Sequence, residues 1–336
     1  MRCNVAPIPT LRISNKTMYY LIATLALIAV ELLYFFVAKK FNIVDRPNER
    51  SSHSKPVLLG AGVIFFASLL FYFLTHQMRF PMFMAGAALL AVVSYVDDLR
   101  NIPSWLRLLA QVGAVVLMVS AEAYQLAAWQ TILLMIFFVG VLNVYNFMDG
   151  INGMLAAYSL VVIGTFGYLD IFVAHFVDIE FIATVMLAIL IFGFFNFRNK
   201  ARCFSGDVGS IVMGFIVLFL LIRLDVSIPD DGENLSYLCF FIVFLADGLL
   251  TIAKRFLTGR NILEAHREHL YETMVNNLHI PHLRVSALYA LLQLAINVGY
   301  MFVADKNLYT LVVACVLVAC YGLFFYYCNV KKGIKF

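Results

Sequence analysis

The sequence predicts an all-α polytopic membrane protein with about eleven transmembrane helices, and three observations carry that prediction. Hydrophobic residues make up 63% of the 336-residue chain and charged residues 13%, against roughly 45–50% and about 25% in soluble domains. The mean hydropathy is +0.89, so a water-soluble globule could not cover its surface with polar groups. The apolar residues also gather into eleven runs separated by short polar breaks, each near the length of about 20 residues that a ~30 Å hydrocarbon core requires. Lys and Arg are distributed unevenly between alternate breaks. This composition excludes disorder and makes a disulfide-stapled secreted domain or a nucleic-acid-binding module remote.

The runs lie near residues 18–38, 57–75, 80–96, 105–120, 126–148, 154–174, 180–197, 208–224, 235–253, 285–303 and 308–328. The first is too long for a cleaved signal peptide and lacks a small-residue cleavage site after it. Residues 1–17 read as a loose tail, 18–330 as one transmembrane domain and 331–336 as a basic tail. Helices are expected throughout because they satisfy their own backbone hydrogen bonds in lipid. Of the six cysteines none forms a CxxC pair and four lie in apolar runs, where Cys acts as a small hydrophobe; no disulfide and no zinc site are expected.

Orientation follows from the 24 Lys and Arg. Arg2, Arg12, Lys16, Arg79, Arg223 and Lys306 fall on one side of the alternating breaks, and the other eighteen on the opposite side. The positive-inside bias places the odd-numbered loops and the C-terminus in the cytoplasm and the N-terminus outside.

Acidic residues on the outer side are scattered, whereas the cytoplasmic side carries ordered polar groups at helix ends. These are Ser51 to Gly62, the pair Asp97-Asp98, the stretch Asn143 to Gly153, the stretch Phe204 to Ser210, and Asp247 with the basic loop containing Lys254, Arg255, Arg260, His266, Arg267, His269 and Tyr271. Carboxylates with few other ligands suit Mg²⁺, which is usually held by one or two carboxylates plus substrate phosphates. Arg, Lys and His beside them suit diphosphate oxygens. Gly206 and Gly209 flank Asp207 where the eighth helix begins, and free N–H groups there favour phosphate. Asn143, Asn146 and Asp149 recur at intervals of three along an apolar span, a polar stripe that should face a cavity rather than lipid. Asp97 and Asp98 point about 100° apart on a helix and cannot both aim at one point unaided. A water-soluble diphosphate donor and a lipid-embedded acceptor would meet at such a rim.

In order along the chain these motifs resemble the polyprenyl-phosphate N-acetylhexosamine-1-phosphate transferases of the MraY/WecA superfamily (glycosyl transferase family 4). The resemblance spans about residues 40 to 275 and rests on Asp97-Asp98, on NxxNxxDGxxG as Asn143, Asn146, Asp149, Gly150 and Gly153, on FxGDxGS as Phe204 to Ser210, and on HxxH as His266 and His269 before Leu270-Tyr271. The His-Arg-Glu-His-Leu-Tyr form is closer to the WecA/WbpL branch than to MraY. The resemblance implies an MraY-like fold with a cytoplasmic active-site cleft in a bacterial inner membrane. It implies transfer of an N-acetylhexosamine-1-phosphate from a UDP-N-acetyl sugar, such as UDP-GlcNAc, to undecaprenyl phosphate, with release of UMP and with Mg²⁺ (or Mn²⁺) as cofactor. The product would start a lipid-linked envelope glycan such as O-antigen, capsule or exopolysaccharide.

Carried over by residue, Asp207 would be the main metal ligand and a catalytic residue. Asp97 or Asp98 would deprotonate or orient the lipid phosphate, with Asp97 favoured as base. Asn143 and Asn146 would position the diphosphate, Asp149 would lie near the nucleotide, and His266, Arg267 and His269 would bind sugar or phosphates. The chain departs from the pattern at Leu59, where arginine is usual, at Phe244, where a proline often stands three residues before the intramembrane acid Asp247, and at Asn152, which replaces a common acid. Which N-acetylated sugar, which glycan, whether a homodimer forms, and direct attack or a covalent Asp intermediate all stay open at this level. A secondary transporter is the alternative, although no internal repeat of the transporter kind is visible.

Overall fold

The computed structural model describes residues 15–47, 55–121, 127–228, 234–261 and 267–332. In chain order its helices are α1 (Asn15–Lys40), α2 (Val63–Thr75), α3 (Pro81–Arg100), α4 (Ser104–Ser120), α5 (Ala128–Phe147), α6 (Met154–Phe172), α7 (Ile179–Asn196), α8 (Gly206–Ser227), α9 (Ile242–Leu257), α10 (Leu270–Asn276), α11 (His282–Phe302) and α12 (Lys306–Lys332). Every expected span is represented, so the chain is an all-α multi-pass membrane protein. Among the described residues, nine helical segments are long and apolar enough to cross a membrane. The helices of the second and fourth spans have 13 and 17 residues, or roughly 20 and 26 Å at 1.5 Å per residue.

Helix α8 is the axis of the bundle. Residues 208–222 are buried without a break, as expected of a helix that is apolar all round, and it packs against α3, α5, α2 and α6. By contrast α12 keeps most of its apolar surface outward, where lipid is its solvent. The first turn of α8 meets the start of α2 backbone to backbone. A side chain at Gly62 would collide with the main chain of Gly209, and one at Gly209 with Gly62.

Four features differ from expectation, the last three for a tertiary reason. The first helix begins at Asn15 rather than near residue 18. The second span does not become helical until Val63, because Val57–Leu58 forms a strand (β2) antiparallel to Val44–Asp45 (β1). Leu58 also bridges Cys203, and the pairing continues as Phe204 N donates to Leu58 O (2.7 Å), Ala61 N to Phe204 O (2.9 Å) and Gly62 N to Ser205 O (2.9 Å). The first loop is thereby stitched to the segment that feeds α8.

The ninth span breaks into a 3₁₀ helix, Asn234–Phe241, and then α9. Backbone groups freed by a break in lipid must find partners. Gln293 of α11 supplies them, accepting from Val243 N (3.0 Å) and donating to Cys239 O (2.8 Å), while Tyr158 accepts from Phe244 N (3.2 Å) and donates to Gln293 (2.6 Å). The break needs no proline at 244. Finally, α10 is a short helix that apolar periodicity does not announce; Asp247 organises it, as described below.

Candidate active site

The C-terminal ends of α3, α5 and α9 and the N-terminal ends of α4 and α8 converge on one end of the bundle. Their geometry starts from the adjacent acids of α3, whose side chains diverge as helical spacing requires. Asp97 accepts from Ile102 N (2.8 Å), fastening the turn after α3, and from Arg107 Nη1 (3.0 Å) on the first turns of α4. Asp98 turns instead to α8, where its two oxygens accept from the backbone N–H groups of Asp207 (2.8 Å) and Val208 (3.2 Å). Gly206 has φ +70°, and a side chain there would run into the Asp98 carboxyl. Two N–H groups that open the helix are therefore capped by Asp98. This corrects the expectation of an open phosphate-binding helix terminus: a helix start leaves four orphan donors, and here a neighbouring helix takes two of them.

The capped turn holds Asp207 in the wall of a small polar cleft lined also by Ser94, Arg107, Gln111, Asn143, Asn146 and apolar residues of α3, α4 and α8. Asn146 donates to Asp207 Oδ1 (2.8 Å) and to Ser210 Oγ (3.1 Å). Arg107 Nη1 lies 3.7 Å from Asp207 Oδ2, so one guanidinium stands between the carboxylates of Asp97 and Asp207. Asp97 is 6% exposed and Asp207 32%, which leaves Asp207 the acid that a ligand can reach. Asn143 donates to Gln111 (2.9 Å) and to Val139 O (2.8 Å) and lies one turn deeper in the same cleft. Asp149, just beyond α5, accepts from the Ser205 hydroxyl. Burial pushes its carboxyl up to about 8 despite that hydrogen bond, and the Asp207 charge adds to the rise.

A second cluster abuts the first. Asp247 accepts from Leu270 N (2.8 Å), Tyr271 N (3.2 Å) and Tyr289 Oη (2.7 Å), so this intramembrane acid caps α10. His269 Nδ1 lies 3.5 Å from Asp247, and the ring is 3% exposed. Burial opposes its charged form, but the Asp247 carboxylate outweighs that effect and raises its pKa. Tyr271 donates to Phe147 O (2.7 Å) and fills the space beside Gly150, which locks α10 to the end of α5. Glu268 sits among Lys254 (3.4 Å), Arg260 (2.8 Å) and Arg255. Arg267 is half-buried close to Glu272. The structure thus brings Asp97, Asp98, Asn143, Asn146 and Asp207 into one centre, with Asp149 at its edge, and sets His269 beside Asp247 in the neighbouring cluster. His266 lies outside the described residues.

Sequence reasoning missed Arg107 and Gln111 as site residues. The signal was present: they are four apart, so they share one face of an otherwise apolar helix, directly after the turn that follows Asp97-Asp98.

A polytopic helical bundle that gathers acids, amides and a partly exposed guanidinium at one membrane face defines the class, an integral membrane enzyme with an acidic rim. Residues 80–225 match the model of glycosyl transferase family 4. The chain is 26% identical over 282 residues to an undecaprenyl-phosphate alpha-N-acetylglucosaminyl 1-phosphate transferase of Yersinia pestis, covering 74% of this chain and 76% of the relative. It is 25% identical over 270 residues to the protein of that name from Escherichia coli strain K12, covering 73% of each. A probable undecaprenyl-phosphate N-acetylglucosaminyl 1-phosphate transferase of Bacillus subtilis strain 168 is 23% identical over 274 residues, 76% of each. Over residues 80–225 the chain is thus similar to glycosyl transferase family 4, and these matches favour a membrane-embedded transferase over a transporter.

Proposed function

We propose that the protein transfers an N-acetylhexosamine-1-phosphate from a UDP-N-acetyl sugar to undecaprenyl phosphate. A phosphate oxygen of the lipid becomes bonded to the sugar-bearing phosphorus, the bond from that phosphorus to the UMP oxygen breaks, and UMP leaves. The observation that carries this reading is the placement of Asp207, a partly exposed carboxylate fixed by Asn146 and Asp98 beside Asp97 and Arg107, in a chain whose relatives bear transferase names.

The donor set fits Mg²⁺. Among the described residues there is no group of three or more His, Cys, Asp or Glu that could hold a metal alone. That is the pattern for an ion that takes one or two carboxylates and completes its shell with phosphate and water. Asp207 would hold it, with Asp97 as the nearby second carboxylate. When bound, the ion would offset the repulsion between two phosphate groups brought together. The chain's own residues do the remaining work. Arg107 neutralises the paired acids and can donate to a phosphate oxygen; Asn146 keeps Asp207 oriented; Asp98 holds the helix turn that carries it. Asp97, the residue expected to act as base, is 6% exposed and already accepts from Ile102 N–H and Arg107, so its part in this reading is to hold the Arg107 guanidinium toward the lipid phosphate. Asn143 positions Gln111 at the cleft floor, and the His269–Asp247 cluster braces the loop after α5.

The positive-inside bias supports this end facing the cytoplasm, where UDP-sugars would have access, and the names of the bacterial relatives support an inner-membrane location and a role at the start of a lipid-linked envelope glycan. The test is an assay of purified protein in detergent with labelled undecaprenyl phosphate and a panel of UDP-sugars, with and without Mg²⁺. Metal-dependent UMP release with one or more UDP-N-acetyl sugars is expected. Turnover of none of them would overturn the reading.

A further inference from the structure

A lipid-facing groove of about 650 Å³ lies between α6 and α7, away from the polar cleft, with Ala156, Ala157 and Gly193 as its floor and Leu190, Phe194 and Phe197 along its walls. Small floor residues make it concave. From Ile189 to Phe197 it follows α7 for about 12 Å, most of the ~15 Å depth of one leaflet of a 30 Å core. Its mouth is cationic. Arg198 lines the groove, its Nε donates to Phe194 O (2.6 Å) and its guanidinium lies 4.6 Å over the Phe194 ring. That geometry holds the charge above the apolar walls. Lys200 and Arg202 follow in the same exposed turn, with no acid between Asn196 and Ser205. Two other large lipid-facing grooves differ: the one between α6 and α11 has no charged residue in its described lining, and the one beside Trp129 carries Asp225.

We propose that this groove is a binding site for an anionic phospholipid of the leaflet on the active-site side, one acyl chain lying along α7 and the headgroup phosphate at Arg198 and Lys200. A basic pocket between transmembrane helices at the membrane surface has the chemistry for such a headgroup. The site also touches the transferase machinery. Asn152, within the Asp149–Gly153 loop, donates to the carbonyls of Arg198 (2.9 Å) and Asn199 (3.4 Å), and Phe197 packs on Gly153. A lipid seated here braces the turn against which that loop rests. The assignment does not depend on which sugar the enzyme uses.

The test is native mass spectrometry of the full-length, delipidated protein titrated with phosphatidylglycerol or phosphatidylcholine of identical acyl chains. Phosphatidylglycerol is expected to be retained on the order of tenfold more strongly. Arg198→Gln combined with Lys200→Gln, both at the surface, should bring the two lipids close to parity, and Gly193→Leu, which pushes a side chain into the floor, should weaken retention of both. Equal retention by the unmodified protein, an unchanged preference in the surface double variant, or displacement of phosphatidylglycerol from this groove by stoichiometric undecaprenyl phosphate would overturn the proposal. If Gly193→Leu does not fold, the surface double variant decides alone.

Discussion

Replacing Asp98 separates a positioning role from a chemical one. Its two oxygens accept the N–H groups of Asp207 and Val208 at 2.8 and 3.2 Å. Asparagine keeps one acceptor oxygen and turns an amide donor toward the second N–H, leaving one buried donor unsatisfied at a cost of about 1–3 kcal/mol. Alanine leaves both unsatisfied, about 2–6 kcal/mol by the same reckoning. Stability should therefore fall in the order Asp98, Asn, Ala. Because these bonds set where the first turn of α8 sits, Asp207 should shift as well, and a displacement near 1 Å costs on the order of 100-fold in rate. The assay pairs thermal unfolding in detergent with kcat and KM for UMP release. Asp98→Asn is expected to lose part of both stability and kcat, and Asp98→Ala more of each. If both variants were inactive while melting like the unmodified protein, the carboxyl would be acting in the chemistry and the positioning argument would be refuted.

Other outcomes follow from the same contacts. Arg107→Ala leaves Asp97 and Asp207 facing each other without a counter-charge, so kcat should drop about 100-fold or more; Arg107→Lys should recover part of it, and an unchanged kcat in the Ala variant would count against the cleft described here. Glu268→Gln removes a carboxylate partner of Arg255, whose side chain is 5% exposed, and should cost about 3 kcal/mol in an unfolding assay. Burial alone would raise the Glu268 pKa, but Arg260, Lys254 and Arg255 hold it below the usual range. Its contribution is thus fully present above the unfolded-state value and is lost as pH falls through the native one; melting curves from pH 7 down to 4 should show an acid limb that is diminished in Glu268→Gln. Gln293→Leu strips the partners from the break before α9 and should destabilise by about 2 kcal/mol, measured by denaturation in mixed micelles; a neutral result would mean the break is held by packing.

Much of the fold was legible because membrane insertion writes a one-dimensional signal: twenty apolar residues and a polar break need no tertiary knowledge. The clustering at one face was legible for the same reason, since alternate loops share a side. What could not be read were contacts between segments distant in sequence. Helical spacing showed that Asp97 and Asp98 diverge, but not that Asp98 caps a helix more than a hundred residues away. The short strand at Val57–Leu58 depends on Val44 and Cys203, and an apolar run alone reads it as helix. Asp247 was visible as an acid in lipid, yet its task, capping α10, required knowing that Leu270 and Tyr271 return to it. Phe244 in place of proline hid the broken ninth span, because the break is held by Gln293 and Tyr158 rather than by local sequence.

The central claim is that Asp207, presented by the first turn of α8, is the carboxylate on which phosphosugar transfer turns. Mg²⁺-dependent release of UMP from UDP-GlcNAc and undecaprenyl phosphate should be measured for the purified protein and for Asp207→Asn, which keeps side-chain size and can still pair with Asn146. The account predicts loss of UMP release in a variant that retains its unfolding profile. Wild-type turnover by Asp207→Asn would contradict it.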